Sequence, residues 1–326
     1  MSENAVWFNL SKDASTCLKG LACLLIVLHH WCARLNGIGC SNPIIDLISL
    51  RGGITGVAIF FFLSSYGLIC SQLKHRDGFL SFLKKRFIKV IIPLLVTNIF
   101  WFVVRHEDKG FVYSLLQIFN IYDLLDPVTW FCNVIIVCYL LFYFSFLPKT
   151  VWGRFVCNWV LMAALAVLIT YLRPLSPFLI YSLVAFPIGF TIALLQERIE
   201  LKPLILGTCL SVLALLGCVA VIAGQYIYLF VANMYCTLLL LTMLITWVAY
   251  CRYRKLFQGL MAYIKPILLW VGVYSYEIYL LHNKLLALHG YYHMTIWYPI
   301  TFFAVVFPLS MLLFRLDSRI TKLFVK

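Results

Sequence analysis

Apolar residues dominate the chain in runs of about twenty, parted by short polar clusters that carry nearly all the charge. The runs fall at 16–35, 53–72, 88–104, 128–147, 156–172, 176–195, 203–223, 228–250, 266–288 and 296–315. A helix rises about 1.5 Å per residue and a hydrocarbon core is about 30 Å thick, so each run is long enough to cross or nearly cross it. Inside lipid the backbone must satisfy its own hydrogen bonds, which leaves helices as the answer to continuous apolar runs. The pattern predicts an all-α, polytopic integral membrane protein of about ten transmembrane helices. One further apolar piece, 111–119, is too short to span. It is flanked by Glu107, Asp108, Asp123 and Asp126 and is expected to lie at an interface.

Composition agrees and narrows the class. Of 326 residues, 63% are hydrophobic and 12% charged, and the mean hydropathy is +0.97. A soluble domain of this size cannot hide that much apolar surface. The net charge of +14 raises nucleic acid as a partner, but the cations sit in short clusters between apolar runs, which points to membrane orientation instead. With ten spans both termini share a side. All lysines and arginines except Arg34, Arg51, Arg105, Lys109, Arg173 and Lys284 then fall on the side of the termini. The positive-inside bias places that side in the cytoplasm, N-in and C-in. The 12 cysteines form no CxxC pair and no His/Cys metal spacing, so they read as small buried hydrophobes and no metal site is expected. The first apolar run has no small-residue cleavage site behind it and is expected to stay as a signal anchor. Residues 1–326 read as a single membrane domain with no appended soluble domain.

Candidate chemistry begins on the first run, Lys19-Gly-Leu-Ala-Cys-Leu-Leu-Ile-Val-Leu-His29-His30. Eleven helical steps return Lys19 and His30 to within roughly 20° of one face and separate them by about 16 Å. His29 falls off that face. A cation at the rim and an imidazole near mid-depth form a possible site; the alternative is a snorkelling lysine and a histidine bonded between helices. The small residues Gly52, Gly53 and Gly56 suit close helix packing or a ligand cavity equally. Lys84, Lys85, Arg86 and Lys89 precede the third run. They would neutralise a phosphorylated cosubstrate or bind anionic lipid.

Five blocks in order then resemble the acyltransferase 3 family of integral membrane O-acyltransferases. Lys19 to His30 is similar to its Arg-x10-His signature, with lysine for arginine. Phe60-Phe61-Phe62-Leu63-Ser64-Ser65-Tyr66 resembles its Phe-Phe-x-x-Ser-Gly-Tyr run, and Arg86-Phe-Ile-Lys89 its Arg-x-x-Arg pair ahead of a proline. Thr129-Trp130-Phe131 resembles its Trp-Phe-Leu block. Gly272-Val-Tyr-Ser275-Tyr276-Glu277-Ile-Tyr279-Leu-Leu-His282 resembles its C-terminal Gly-x-x-Ser-Tyr-x-x-Tyr-Leu-x-His block. The resemblance implies transfer of an acyl group, usually acetyl from acetyl-CoA, to a sugar, lipid-linked glycan or other small acceptor at the bacterial cell envelope. It implies a multi-pass protein of the inner, or plasma, membrane, with Trp130 and Tyr276 among the substrate contacts.

The residues themselves supply a mechanism to test. The ninth run enters from the cytoplasm at Lys265, so Glu277, twelve residues in, is expected at the depth of His30, eleven residues beyond Lys19, where a carboxylate would orient the imidazole and stabilise its charged form. The alternative for Glu277 is a packing bond to a neighbouring tyrosine or backbone group. Acyl-CoA would enter from the cytoplasm with its phosphates near Lys84, Lys85, Arg86 and Lys89 and Lys19 nearer the pantetheine. His30 would act as general base on the acceptor hydroxyl, or else carry the acyl group itself. Ser64 and Tyr66 are candidate oxyanion donors, and His282 a candidate acceptor contact. A transporter or flippase for a glycan, amino acid or lipid-linked intermediate would use the same polar cavity, and a sensor would show no turnover.

Overall fold

The computed structural model describes residues 10–105, 110–121, 127–172, 178–196, 255–288 and 297–324. All regular structure among them is helical: α1 (Lys12–Gly37), α2 (Pro43–Lys74), α3 (Phe79–Arg105), α4 (Phe111–Ile118), α5 (Trp130–Phe146), α6 (Val151–Leu172), α7 (Phe178–Leu183), α8 (Ala185–Leu195), α9 (Lys255–Val273), α10 (Ser275–Leu288) and α11 (Trp297–Phe324). Four of them, α1, α2, α3 and α6, are long and apolar enough to cross a membrane, and a fifth span is made if α9 and α10 count as one broken helix. The predicted runs 203–223 and 228–250 lie outside the described residues. The described residues are thus all-helical in their regular structure, and the chain is a multi-pass membrane protein.

Local chemistry fixes the helix ends. Ser11 caps α1 by accepting from the amide of Ala14 at 3.2 Å. Asn42 caps α2 by accepting from Ile44 and Ile45, both at 3.0 Å, with Pro43 at the first helical position. Because of that cap α2 begins ten residues before the predicted run, and Asp46 and Arg51 belong to the helix, not to a loop. The short segment expected at an interface is α4, whose Phe111 and Val112 are exposed.

The glycines are packing devices. A Cβ on Gly52 would lie 2.9 Å from the carbonyl oxygen of Leu25, one on Gly53 2.7 Å from Cδ2 of His29, and one on Gly56 2.6 Å from the carbonyl oxygen of Ala22. These positions let α2 lie antiparallel against α1 at close range. Gly20 and Gly272 likewise let α9 cross α1 at Leu268 and Thr16. Two apolar cores result, one centred on α2, α5 and α8 and one on α1, α9, α10 and α11, with Phe60 packed against both.

The feature that positions the site is a break. α9 and α10 meet at a bend of 78°, and α10 then runs alongside α1. Cys23 Sγ donates to the carbonyl of Ser275 at 3.5 Å, His30 faces His282, and the Arg34 guanidinium donates to the carbonyl of Leu286. The hydrogen-bonded pairs are both 252 positions apart, and the histidines keep the same offset. The two helices are therefore parallel and in register, meeting at steps of seven and four residues as helical neighbours do.

Candidate active site

The parallel register of α1 and α10 brings His30 and His282 together with ring centroids 5.1 Å apart and planes tilted by 39°. His282 is fully buried and its Nδ1 lies 2.6 Å from the carbonyl oxygen of Tyr279. A carbonyl only accepts, so Nδ1 carries the proton and Nε2 the lone pair. The Tyr279 hydroxyl in turn donates to the carbonyl of Val128, in the 3-10 turn that opens α5. His30 is half-buried, which leaves it the accessible member of the pair. Helical phase separates it from His29 as expected. His29 packs on Gly53.

At the other end of the same face of α1, Lys19 is exposed and faces the charges of Arg86 and Lys89 on α3. Lys84 and Lys85 are exposed beyond them, and Lys85 pairs with Asp77 at 2.6 Å. Arg86 also donates to Ser71 Oγ at 3.2 Å. Between the two ends a line of hydroxyl and ring groups runs down α5 and α10. Tyr139 bonds Ser64 and lies within reach of the Arg86 charge. Tyr276 donates to the carbonyl of Val90 at 2.7 Å, in the turn that Pro93 loosens by lacking an amide proton, and its hydroxyl is 3.4 Å from Cys132 Sγ. Phe131 stands edge-on to Tyr279 at 5.8 Å, and Trp130 packs edge-on against Phe131. The path ends at the histidines, about 16 Å from Lys19 along α1.

Two expectations are corrected by this geometry. Glu277 does not share the depth of His30. With α10 in register, it stands level with Leu25, five residues or about 7.5 Å short of His30, and roughly 140° around the helix from His282. Counting depth by residues assumes one straight helix, and α9 instead crosses α1 obliquely before the bend. Glu277 instead faces Cys23 and Asp317, the latter on α11. Glu277 Oε2 and both carboxylate oxygens of Asp317 are buried without a hydrogen-bond partner. Ser64 and Tyr66 are also not at the histidines. Gly53 marks the level of His29, and Ser64 and Tyr66 lie eleven and thirteen residues further along α2, about 16–20 Å away. Tyr66 donates to Gln196 Oε1 at 2.6 Å and accepts from the amide of Leu10 at 3.2 Å.

Arg34 and Cys132 were missed as site residues by sequence reasoning, although spacing carried a signal for each. Arg34 is one turn beyond His30 on the same face, and Cys132 and Tyr139 are seven residues apart on one face of α5. Among the described residues no three His, Cys, Asp or Glu side chains gather as a metal site.

The described residues thus form a helical membrane body in which a line of packed polar and ring groups joins cations at one end to a histidine pair at the other. The family profile described as an acyltransferase domain matches residues 13–315, and the chain belongs to that family, acyltransferase 3. No curated protein and no solved structure matches the chain. Membership favours acyl transfer over the transporter and sensor readings.

Proposed function

We propose that this acyltransferase moves an acetyl group from cytoplasmic acetyl-CoA to a hydroxyl of a cell-envelope sugar or lipid-linked glycan at the inner membrane, with His30 as general base. The observation that supports it best is the path from Lys19, Arg86 and Lys89 through Ser64–Tyr139 and Tyr276–Cys132 to His30. Its length, about 16 Å, is of the order of an extended pantetheine arm. Nucleotide phosphates would sit on the cations, with Lys84 and Lys85 steering from outside. The thioester would reach His30, and the acceptor would arrive from the Arg34 end, past Trp130.

The base removes the proton of the acceptor hydroxyl as its oxygen attacks the thioester carbonyl; the carbon–sulfur bond breaks and the thiol leaves protonated. Ser64, bonded to Tyr139 beside Arg86, would line the donor arm instead of the reacting carbonyl, while Tyr66 is bonded to Gln196 and Leu10. The test is transfer of label from radiolabelled acetyl-CoA to envelope extract by purified protein in detergent. Wild type is expected to transfer label and His30→Ala to lose at least about 100-fold of the rate. Undiminished transfer by His30→Ala overturns the assignment.

A further inference from the structure

We propose that His282 is a positioning residue for this reaction, acting as the proton partner of His30. The inference rests on the acyl-transfer reading above. An imidazole that takes a proton needs a neighbour to orient it and spread the new charge. The expected neighbour, Glu277, is on another face of α10 and five residues short. The groups that face His30 are His282, His29 and Arg34. Arg34 is a fixed cation held by the carbonyl of Leu286 and by Asn283 Oδ1 at 3.3 Å, so it opposes an imidazolium beside it. His29 is packed against Gly52 and Gly53 of α2. That leaves His282.

His282 is built for the role. Its Nδ1 proton is tied to the Tyr279 carbonyl, which leaves Nε2 basic. Tyr279 is anchored in turn on Val128, so two elements fix the ring. Full burial keeps it from the acceptor, which meets only the half-buried His30. With ring centroids 5.1 Å apart, a small rotation of either ring brings a nitrogen of His30 to Nε2 of His282, and a proton can then pass between them. In the step proposed, one ring nitrogen of His30 takes the acceptor's O–H proton while the proton on its other nitrogen moves to Nε2 of His282. The acceptor oxygen bonds to the acyl carbon and the carbon–sulfur bond breaks. The pair then returns one proton to the departing sulfur, giving free CoA thiol and two neutral imidazoles.

The experiment measures acetyl-CoA-dependent thiol release by the purified full chain in nanodiscs, with envelope glycolipid extract as acceptor. It compares wild type, His282→Gln and His30→Gln across pH 5.5 to 9. His282→Gln is expected to lose about 100-fold in kcat with KM for acetyl-CoA unchanged, and to move the midpoint of the acidic limb of its pH profile. On wild type alone, mixtures of light and heavy water should give a curved dependence of rate on deuterium content, because two protons move together. This second readout needs no variant to fold. A linear dependence, or a His282→Gln profile and kcat like those of wild type, overturns the proton-partner role while leaving acyl transfer intact. A wild type that releases no thiol overturns the acyl-transfer reading itself.

Discussion

Gly56→Ala tests whether the α1–α2 contact sets the geometry at His30. The added Cβ would lie 2.6 Å from the carbonyl oxygen of Ala22 and 2.6 Å from Cγ1 of Ile26. Carbon–oxygen contacts between helices settle near 3.3–3.6 Å and carbon–carbon contacts near 3.5–4.0 Å, so α1 must retreat by about 0.7–1 Å. Backbone at Ala22 cannot swing aside. Overpacking of this kind costs about 1–3 kcal/mol, set against about 1 kcal/mol gained in helix propensity. Ala22 and His30 belong to the same helix, so the shift reaches the His30–His282 contact, where a misplacement of about 1 Å can cost on the order of 100-fold in rate. The assay is a thermal melt in detergent with label transfer measured in parallel. Gly67→Ala on the same helix, with nothing within 4 Å of its added carbon, is the control and should melt at or above wild type. A Gly56→Ala protein as stable and active as that control would refute the packing argument.

Other perturbations separate the remaining groups. Arg86→Gln and Lys89→Gln should each raise KM for acetyl-CoA by about tenfold or more with little change in kcat, since a charge-assisted phosphate contact is worth about 1.5–3 kcal/mol; initial rates against acetyl-CoA concentration check this. Glu277→Gln should leave the pH profile of turnover where it was, because the carboxylate faces Cys23 and Asp317 and not His30; a displaced profile would restore its role as partner of the base. Asp317→Leu should raise the melting temperature, because a buried carboxyl with neither oxygen bonded costs more than an apolar side chain in its place.

The fold class was legible because the apolar runs are long, and the phase of one helix was enough to separate His30 from His29. The cap at Asn42-Pro43 was legible too, but the charges of Asp46 and Arg51 masked it. Both lie on exposed or half-buried turns at the start of α2, where Asp46 accepts from Asn36 at the end of α1. The break at Tyr274 left no such mark. Gly272-Val-Tyr-Ser275 holds no proline, and the bend follows from how α9 packs across α1 at Gly20 and Gly272, a tertiary fact. From that bend comes the register of α10, and with it the exchange of Glu277 for His282 beside His30. Spacing alone carried a trace: Cys23, His30 and Arg34 repeat the seven-and-four interval of Ser275, His282 and Leu286. What the repeat could not supply is that the two helices run parallel.

The most direct test of the account is a structure of the full chain in nanodiscs with a non-hydrolysable acetyl-CoA thioether. Nucleotide phosphates are expected on Lys19, Arg86 and Lys89, with the arm passing Ser64, Tyr139 and Tyr276 and the acyl carbon close enough to His30 for an acceptor oxygen at about 3–3.5 Å to bridge them. A nucleotide bound at the Arg34 end, or an acyl group far from His30, would contradict it.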